Sequence, residues 1–461
     1  MALTNESFKE MIAELLDREY PEAAKALAKV FLTHENDNSM VGQLARAYYD
    51  LNEYQGCLFC LDKILPSIED QVKRGTNDVV HLDSLQINRA KCFYYLRQAD
   101  KALEILNGIS DKRRANVEVM MDRSLYLNAI GKFQEARQVL EMLPDQNNPA
   151  VSFNKAWYLF RAGEFKKGYA HIIRGSELKV WGNEWEMEDK WQIGPDRRWI
   201  PGEHVDIIAF TTEGGIGDEF AFMRFTQHLH QYCRKLKIFC HKKLVNFFIE
   251  CGYKNVYPHD AIVDGGEKWD KYVPGMSSPY YLGVNSPREN ITFPYLVREA
   301  DPVPEMDKVA NGRKKILLKW SGNPEFEHDQ FRTFPVDPLW DLSKFGQLFS
   351  VQFENDGDMK KNAPIWDLKH LMDSWQDTYD IVANSDLLIT SCTAVAHMAG
   401  AMGKKVIVIV PMVPYMIWPD HGNADEYWYE DNVTIIRQQE YGTWKHAMDE
   451  LYELVPKILE S

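Results

Sequence analysis

Residues 377–418 constrain the fold most strongly, because their apolar and small residues follow the order helix, strand, turn, helix, strand and loop. Residues 387–390 form a short apolar run of the kind that is buried in a parallel sheet, and residues 406–410 form a second one. Strands of such a sheet end at a common crevice. The order therefore predicts half of a nucleotide-binding α/β domain.

The turn between these two strands predicts an anion site. It supplies small side chains and backbone N–H groups at the start of the next helix, from Ser391, Cys392, Thr393 and Ala394. The first N–H groups of a helix lack intrahelical acceptors, and the helix dipole is positive at this end. We expect a diphosphate to bind there.

Length and charge narrow the class of protein. A chain of 461 residues predicts about three domains at roughly 150 residues each. The net charge of −15 argues against a general nucleic-acid binder, which needs a basic surface. The start of the chain lacks the features of a secretion signal, and no apolar run is long enough to cross a bilayer, so we expect a soluble cytoplasmic protein.

The cysteines do not predict a disulfide framework or a metal site. There are seven, an odd number, and their spacing is irregular, so reduced thiols are expected. Cys57 and Cys60 form a CxxC within a helical pattern, without a second pair. Buried packing is therefore favoured there over zinc binding or redox chemistry.

The first third of the chain contains an internal repeat. Five segments each place a small residue behind a turn, at Ala23, Cys57, Ala102, Ala136 and Gly168. Twelve residues before the last four lie further small residues, Ala45, Ala90, Ser124 and Ala156. The intervals of 34, 45, 34 and 32 residues bracket the period of about 34 that is typical of the tetratricopeptide repeat. We predict an α-solenoid of about five repeats over residues 1–175, with an extended helix pair connected at residues 75–78.

A tryptophan-rich connector is predicted at residues 176–203. It contains four tryptophans, Trp181, Trp185, Trp191 and Trp199. Rings at this density need a surface to pack on, which favours a docked connector over a flexible linker. An ordinary capping helix is the alternative.

A second strand–turn–helix pattern begins at residue 205. Residues 205–210 read as a buried strand, residues 214–217 as a tight glycine turn, and Asp218 as the start of a helix. An acid at a helix start is either a plain cap or a functional group. The pattern continues with a strand at residues 237–240, a helix at 244–251, a strand near Val256 and a loop at 274–279.

The next unit supplies a cation. Residues 316–320 predict a strand, and residues 323–335 a long polar loop with Asn323, His328 and Arg332. An arginine binds phosphate through two parallel bonds, so Arg332 facing the helix start at Thr393 would suit a diphosphate leaving group. A surface ion pair with Asp329 or Glu327 is the alternative.

Six separated passages resemble one family. They are GEFKKGYAHI, Trp199 with Pro201 and Gly202, TEGGIGDEFAFMRF, KYVPGMSSPYYLG, LKWSGNPEFEHDQFRTFP and residues 375–418. In this order they are similar to the tetratricopeptide-repeat glycosyltransferases of GT-B architecture, relatives of the bacterial heptosyltransferases and more distantly of O-GlcNAc transferase. The resemblance implies a solenoid followed by two Rossmann-like domains, an acceptor domain over residues 204–310 and a nucleotide-sugar domain over residues 311–461.

The resemblance also implies roles for residues. The family GD motif matches Gly217 and Asp218, which makes Asp218 the expected general base of an inverting, metal-independent transfer. Arg332 and the N–H groups of residues 392–394 would stabilise the leaving diphosphate. His397 matches a family histidine that either contacts the donor or is bonded inside the domain.

One departure from the family leaves the identity of the donor open. The family often has Asp-Thr where this chain has Cys392 and Thr393, so either the donor differs or the site has lost chemistry; a nucleophilic Cys392 is a lesser alternative. Further base or sugar contacts are expected from Gly217, Asn323, His328, Tyr415 and Trp418, of which the last two would otherwise pack across the interdomain seam.

Three functions are consistent with the sequence. The first is a glycosyltransferase that needs no cofactor beyond its nucleotide-sugar substrate and acts on a glycan, a lipid-linked or a protein acceptor. The second is a scaffold whose repeats bind a protein partner and whose GT-B body is inactive. The third is a nucleotide-sugar epimerase of similar fold, and fold alone does not decide among them.

Overall fold

A computed structural model describes residues 4–143, 145–175, 178, 195–262, 268–324, 326, 329–353, 359–360, 362–418 and 428–460. The chain divides into two compact units, Met1–Pro144 and Asp145–Ser461. The first is helical, and the second combines a helix pair with two parallel sheets. The three bounded domains predicted from the sequence stay a prediction.

The helices of the first unit begin at polar caps. The side chains of Thr4, Asp37, Asp78 and Asn116 each accept a backbone N–H of the first turn, as expected for N-cap residues. The helices are α1 Asn5–Asp17, α2 Pro21–His34, α3 Asn38–Asp50, α4 Tyr54–Lys73, α5 Val79–Tyr95, α6 Ala99–Gly108, α7 Asp111–Arg114, α8 Val117–Ala129 and α9 Phe133–Glu141. Two more, α10 Pro149–Arg161 and α11 Phe165–Ile172, belong to the second unit.

One turn recurs between paired helices. A residue in the left-handed region stands at Glu19, Asn52, Arg97, Gly131 and Gly163. The next residue donates its N–H to a carbonyl five residues earlier, at 2.8–2.9 Å. This backbone bond ends the first helix of each pair in the same way. The structure thus contains the internal repeat, whereas its grouping into a tetratricopeptide solenoid stays a prediction.

The repeat needs one correction. Ala23 is exposed, and Ala24 is buried with its N–H bonded to the Tyr20 carbonyl. Because the N–H groups of Cys57 and Ala102 bond the matching carbonyls, Ala24 is the equivalent position. The sequence pattern places the small residue of the first repeat one position too early, because Ala23 and Ala24 have the same size.

The first unit contains the predicted long helix pair and the predicted buried cysteines. Helix α4 extends to Lys73, and the connection to α5 contains Gly75 with φ 70°. Cys57 and Cys60 are buried free thiols. They pack in the core between helices, as the sequence predicts.

The second unit contains two parallel sheets. The first has the order β3-β2-β1-β4, and we call the part built on it the first lobe. Its strands are β1 Val205–Thr211, β2 Cys233–Cys240, β3 Val256–Pro258 and β4 Lys271–Pro274. Its helices are α12 Ile216–Phe222, α13 Thr226–Leu229, α14 Val245–Glu250 and α15 Ser278–Leu282.

The second lobe is built on a sheet of order β10-β9-β8-β5-β6-β7. Its strands are β5 Lys315–Lys319, β6 Gln347–Ser350, β7 Ile365–Asp367, β8 Leu387–Ser391, β9 Val406–Val410 and β10 Val433–Arg437. Its helices are α16 Pro304–Ala310, α17 Asp329–Arg332, α18 Trp375–Ala383, α19 Ala394–Ala401 and α20 Lys445–Glu460. All residues of β8 and β9 are buried, which explains their continuous apolar runs.

Two predicted loops contain regular structure. The loop expected at residues 274–279 is shorter, because β4 ends at Pro274 and α15 begins at Ser278. The polar loop at residues 323–335 contains the single-turn helix α17. Elements this short carry no periodicity that a sequence pattern could reveal.

The largest hydrophobic core joins both lobes and the last helix pair. Phe160, Phe165 and Tyr169 of α10 and α11 pack in the same cluster as Phe220 and Val395. Trp199 of the predicted connector is buried, and its ring lies 5.1 Å from that of Tyr232. The other three tryptophans of the connector lie outside the described residues.

The described helices include none that is long and apolar enough to cross a membrane.

We expect Gly168→Ala to destabilise the protein by about 1–3 kcal/mol. A methyl group there would lie 2.5 Å from Cε1 of the buried Phe160 ring. The measurement is the urea midpoint. Gly42→Ala in α3 is the control, since nothing lies within 4 Å of its added methyl group, and it should gain up to about 1 kcal/mol from helix propensity. Equal effects of both substitutions would contradict the proposed packing.

Candidate functional site

The candidate site lies where loops at the carboxyl ends of both sheets meet. Gly217, after β1, is so close to the start of α19 that a methyl group on it would lie 3.2 Å from Cα of Ala394 and 3.1 Å from Cδ2 of His397. Parallel strands present their following loops at one edge. The starts of α12 and α19 therefore face each other across the lobes.

Asp218 is the third residue of α12, and its carboxyl is held at the helix start. Its Oδ2 accepts the N–H of Gly215 at 2.9 Å. The residue is partly exposed but has protein on most sides. Burial raises the pKa of the Asp218 carboxyl to about 6, against the opposing effects of the Gly215 hydrogen bond, the Tyr415 side chain and the charge of Arg332. Asp218 is thus a cap that also faces the second lobe.

Arg332, at the end of α17, faces the same place from the second lobe. Its Nη1 donates to the Cys392 carbonyl at 2.7 Å, and its Nε donates to Asp329 Oδ1 at 2.8 Å. The ion pair with Asp329 is mostly buried, with side-chain exposures of 18 % and 6 %. The alternative of a surface ion pair is therefore correct in its partner, Asp329, but wrong in placing the pair at the surface.

Residues 391–394 form the predicted turn before α19. Thr393 is the N-cap, in extended conformation, and its hydroxyl lies 3.1 Å from that of Thr390. Ser391 is fully buried, and its Oγ makes no hydrogen bond to any described residue. The N–H of Ala396 bonds the Thr393 carbonyl at 3.0 Å, whereas those of Ala394 and Val395 have no acceptor within the helix by its geometry. These donors can serve an anion.

Cys392 is buried, and this burial raises the pKa of its thiol although Arg332 opposes the effect. A thiolate is therefore disfavoured, and the alternative of a nucleophilic Cys392 loses its physical basis. Its backbone carbonyl, which accepts Arg332, is the part of the residue that shapes the site.

His397 and Trp418 are packed inside the domain. His397 is buried, and its Nδ1 lies 2.8 Å from the Tyr429 hydroxyl. Its ring stacks on Trp418 with centroids 4.8 Å apart. Burial, with the charges of Arg224 and Arg332, lowers the pKa of His397 to about 3, so the imidazole is neutral. Trp418 is 1 % exposed, which leaves no ring face for a base or sugar. Both side chains therefore pack against the protein, which was the alternative to a contact with the donor.

The other residues expected to contact a base or sugar are Tyr415, Asn323 and His328. Tyr415 is partly exposed, and burial, followed by the negative charge of Asp218, raises the pKa of its phenol. Asn323 is exposed in the loop after β5, where its carbonyl accepts the N–H of Phe326. His328 lies outside the described residues.

Two buried acids near Asp218 were not predicted as site residues from the sequence. Glu213 is buried, and its Oε2 accepts the N–H of Met276 at 2.8 Å. Glu219 is buried too, and its carboxyl accepts the N–H of His241 at 3.1–3.2 Å. Burial raises the pKa of Glu219 to about 8, so it is protonated at neutral pH. The signal was visible as three acids in TEGGIGDE, but a sequence does not show which ones are buried.

Among the described residues, no group of three or more His, Cys, Asp or Glu side chains is arranged to hold a metal ion.

Comparison with known proteins gives only distant likenesses. No protein-family model and no curated protein sequence matches the chain. Among solved structures, E. coli heptosyltransferase WaaC with ADP is 8 % identical with a TM-score of 0.35, covering 55 % of this chain and 99 % of that one. A mutant O-GlcNAc transferase of Thermobaculum terrenum is 10 % identical with a TM-score of 0.34, covering 100 % and 94 %.

Two further solved structures are similar to parts of the chain. The glycosyltransferase TibC of enterotoxigenic E. coli is 13 % identical with a TM-score of 0.38, covering 56 % of this chain and 78 % of that one. MamA of Desulfovibrio magneticus is 16 % identical with a TM-score of 0.32, covering 39 % and 97 %. Likenesses at these identities and scores say nothing about what this protein binds or transfers.

Glu219 should make stability fall as pH rises. The pKa of its carboxyl is about 8 in the folded chain, whereas in the unfolded chain the carboxyl releases its proton near the ordinary glutamate pKa of 4.5. Between these pH values the folded state binds more protons, so the free energy of unfolding falls with pH, by at most about 1.4 kcal/mol per pH unit. Urea unfolding from pH 5 to pH 8 should show a flatter dependence for Glu219→Gln than for wild type. Parallel curves would show that Glu219 is not the group responsible.

Proposed function

We propose that this protein transfers a sugar from a nucleotide-sugar donor to an acceptor hydroxyl, with inversion at the anomeric carbon. The observation that carries the proposal is the approach of Asp218 from the first lobe to Arg332 and the start of α19 in the second. A base and an anion site on opposite sides of one gap are what such a transfer needs.

The chemistry follows from this arrangement. The acceptor hydroxyl gives its proton to the Asp218 carboxylate as its oxygen bonds the anomeric carbon. The bond from that carbon to the diphosphate oxygen breaks in the same displacement, so the configuration inverts. The charge released on the diphosphate is met by the Arg332 guanidinium and the N–H groups at the start of α19. In this proposal no metal takes part.

Neighbouring groups keep the charge of the site compatible with an anion. Glu219 is neutral at pH 7 because its pKa is raised to about 8. His397 is neutral as well, so Arg332 is the permanent cation of the assembled groups. We assign the nucleotide to the second lobe and the acceptor, a glycan, a lipid-linked intermediate or a protein, to the first.

A scaffold function is the second candidate. It is favoured by the existing partners of Arg332, whose guanidinium already bonds Asp329 and the Cys392 carbonyl. A thermal-shift screen with UDP, ADP, GDP and CMP sugars separates the candidates, since a ligand at 100 times its Kd stabilises the fold by about 2.7 kcal/mol. Absence of any shift would favour the scaffold.

Asp218→Asn should retain the melting shift caused by the donor and lose turnover by at least about 100-fold. The amide can still accept the Gly215 N–H but cannot take a proton. For wild type, turnover should fall below about pH 6, because the Asp218 carboxyl becomes protonated there. Hydrolysis and transfer assays measure both effects. Unchanged turnover of the Asn variant would remove Asp218 as the base.

Arg332→Lys should weaken nucleotide binding by about tenfold or more, because lysine cannot reproduce the planar fork that bonds a phosphate. Titration calorimetry with the nucleoside diphosphate measures the change. Arg234→Lys is the matched control, since Arg234 forms an exposed ion pair with Asp206 and should bind as wild type. Equal affinity of both variants would contradict an anion contact by Arg332.

A further inference from the structure

An aromatic cleft lies in the first lobe, beside the sheet edge formed by β4. Its volume is about 520 Å³, and it is lined by residue 196, residues 198–201 and the α15 residues Tyr280 and Tyr281. Two apolar side chains of this lining face solvent, since Ile200 is 61 % exposed and Tyr280 is 42 % exposed. Covering them with the apolar face of a ligand would be favourable.

One wall of the cleft, the segment before β1, is fastened to the lobe. The N–H of Trp199 donates to the Tyr272 carbonyl of β4 at 2.9 Å, which extends the sheet by a parallel bridge. Arg197 Nε donates to the Asp270 carbonyl at 3.0 Å, and its Nη2 donates to the Trp269 carbonyl at 2.6 Å. A wall that is already in place loses little freedom when a ligand binds.

Arg198 connects this wall to the other one, helix α15. Its Nε donates to the Tyr272 hydroxyl at 3.0 Å, and its Nη1 donates to the Tyr281 hydroxyl at 3.3 Å. The Tyr281 ring lies edge-on to the Tyr280 ring, with centroids 5.4 Å apart. The guanidinium therefore sets the position of the α15 rings relative to the segment before β1.

The chemistry of the lining suits a sugar ring. Among the described residues that line the cleft, Asp196 and Arg198 carry charges, and these charges are opposite. A lining without net charge does not favour a phosphate group. A sugar ring has C–H groups on its faces, which pack on an aromatic ring such as Tyr280, and hydroxyl groups at its rim, which the exposed Asp196 carboxylate can accept.

The cleft is joined to Asp218 by one short loop. Residues 275–277 connect β4 to α15. A methyl group on Gly214 would lie 3.0 Å from Met276 Sδ and 2.6 Å from Asp218 Oδ2, so both atoms border the same small space. Tyr280 follows Met276 by four residues, so the Cα atoms of these two residues are at most about 14 Å apart.

We propose that this cleft is an acceptor subsite for a glycan. One sugar ring packs on Tyr280 and bonds Asp196, and the rest of the oligosaccharide extends along residues 275–277 toward Asp218. This inference rests on the proposed function in one respect, the assignment of the bound sugar as the acceptor. It narrows the acceptor from a glycan, a lipid-linked intermediate or a protein to a glycan.

The test is sugar binding to the full chain with 13C-labelled isoleucine methyl groups, in which Ile200→Val identifies the Ile200 signal. The probes are maltotetraose, cellotetraose, mannotetraose and chitotetraose, with indole as an apolar ligand that has no hydroxyl group. At least one sugar should shift the Ile200 signal in a saturable way. A shift with indole alone would show a plain apolar pocket and overturn the proposal, as would the absence of any shift.

Variants of the cleft locate the sugar. Tyr280→Phe keeps the ring and should bind the sugar as wild type does. Tyr280→Ala should weaken binding by about fivefold, because the ring face is lost. Asp196→Ala should weaken it by about tenfold, because a charged acceptor is lost. Tyr20→Ala is the matched control, since Tyr20 is an exposed tyrosine of the first unit. Equal affinity of Tyr280→Ala and Tyr20→Ala overturns the proposal.

The binding assay separates this inference from the proposed function, because it needs neither a donor nor turnover. A protein that binds a sugar in the cleft but transfers nothing would refute the proposed function and keep the sugar site. Conversely, transfer to an oligosaccharide with a KM that Tyr280→Ala leaves unchanged would keep the proposed function and refute the subsite. The expected result is a KM raised by about fivefold in that variant, with kcat unchanged.

Discussion

The site depends on the close approach of two helix starts, those of α12 and α19. Both carry the positive end of a helix dipole, so by themselves they repel each other. Gly217 permits the contact because it has no side chain to separate the helices. Asp218 supplies negative charge there, bonded to the Gly215 N–H and facing Arg332. An anionic ligand would add to this compensation, which explains why an acid and an anion site occur so near each other.

A buried arginine joins the lobes without a carboxylate among its described partners. Arg224 is 0 % exposed and donates to the carbonyls of Pro287 and Trp428 and to the Tyr295 hydroxyl at 3.0 Å. Four aromatic rings surround its guanidinium, with centroids at 4.7–5.1 Å. Such a cation is stabilised by dipoles and ring faces. Its charge also helps to keep His397 neutral.

The strands at long apolar runs could be predicted from the sequence. The placement of candidate site residues after parallel strands could be predicted as well. The expected strand at residues 406–410 coincides with β9, and that at 387–390 with β8 to within one residue, because both are buried on both faces. Strands β4 and β7 are too short to show a pattern. Asp218 and Arg332 were each expected after a parallel strand, and they follow β1 and β5. Which acids are protonated and which aromatic rings are buried depends on contacts distant in sequence, so neither the neutral Glu219 nor the stacking of His397 on Trp418 could be predicted.

The last helix pair shares its turn with the repeats of the first unit but its core with the sheets. Its aromatic residues Phe160, Phe165 and Tyr169 are each about 1 % exposed within the cluster that contains both lobes. A fragment that starts at residue 145 keeps these rings covered. One that starts at residue 176, where the repeat pattern ends, would leave a bare apolar patch on the part that contains both sheets and would favour aggregation. The practical boundary for expressing that body alone is therefore set by packing, about thirty residues before the boundary that the repeat pattern predicts.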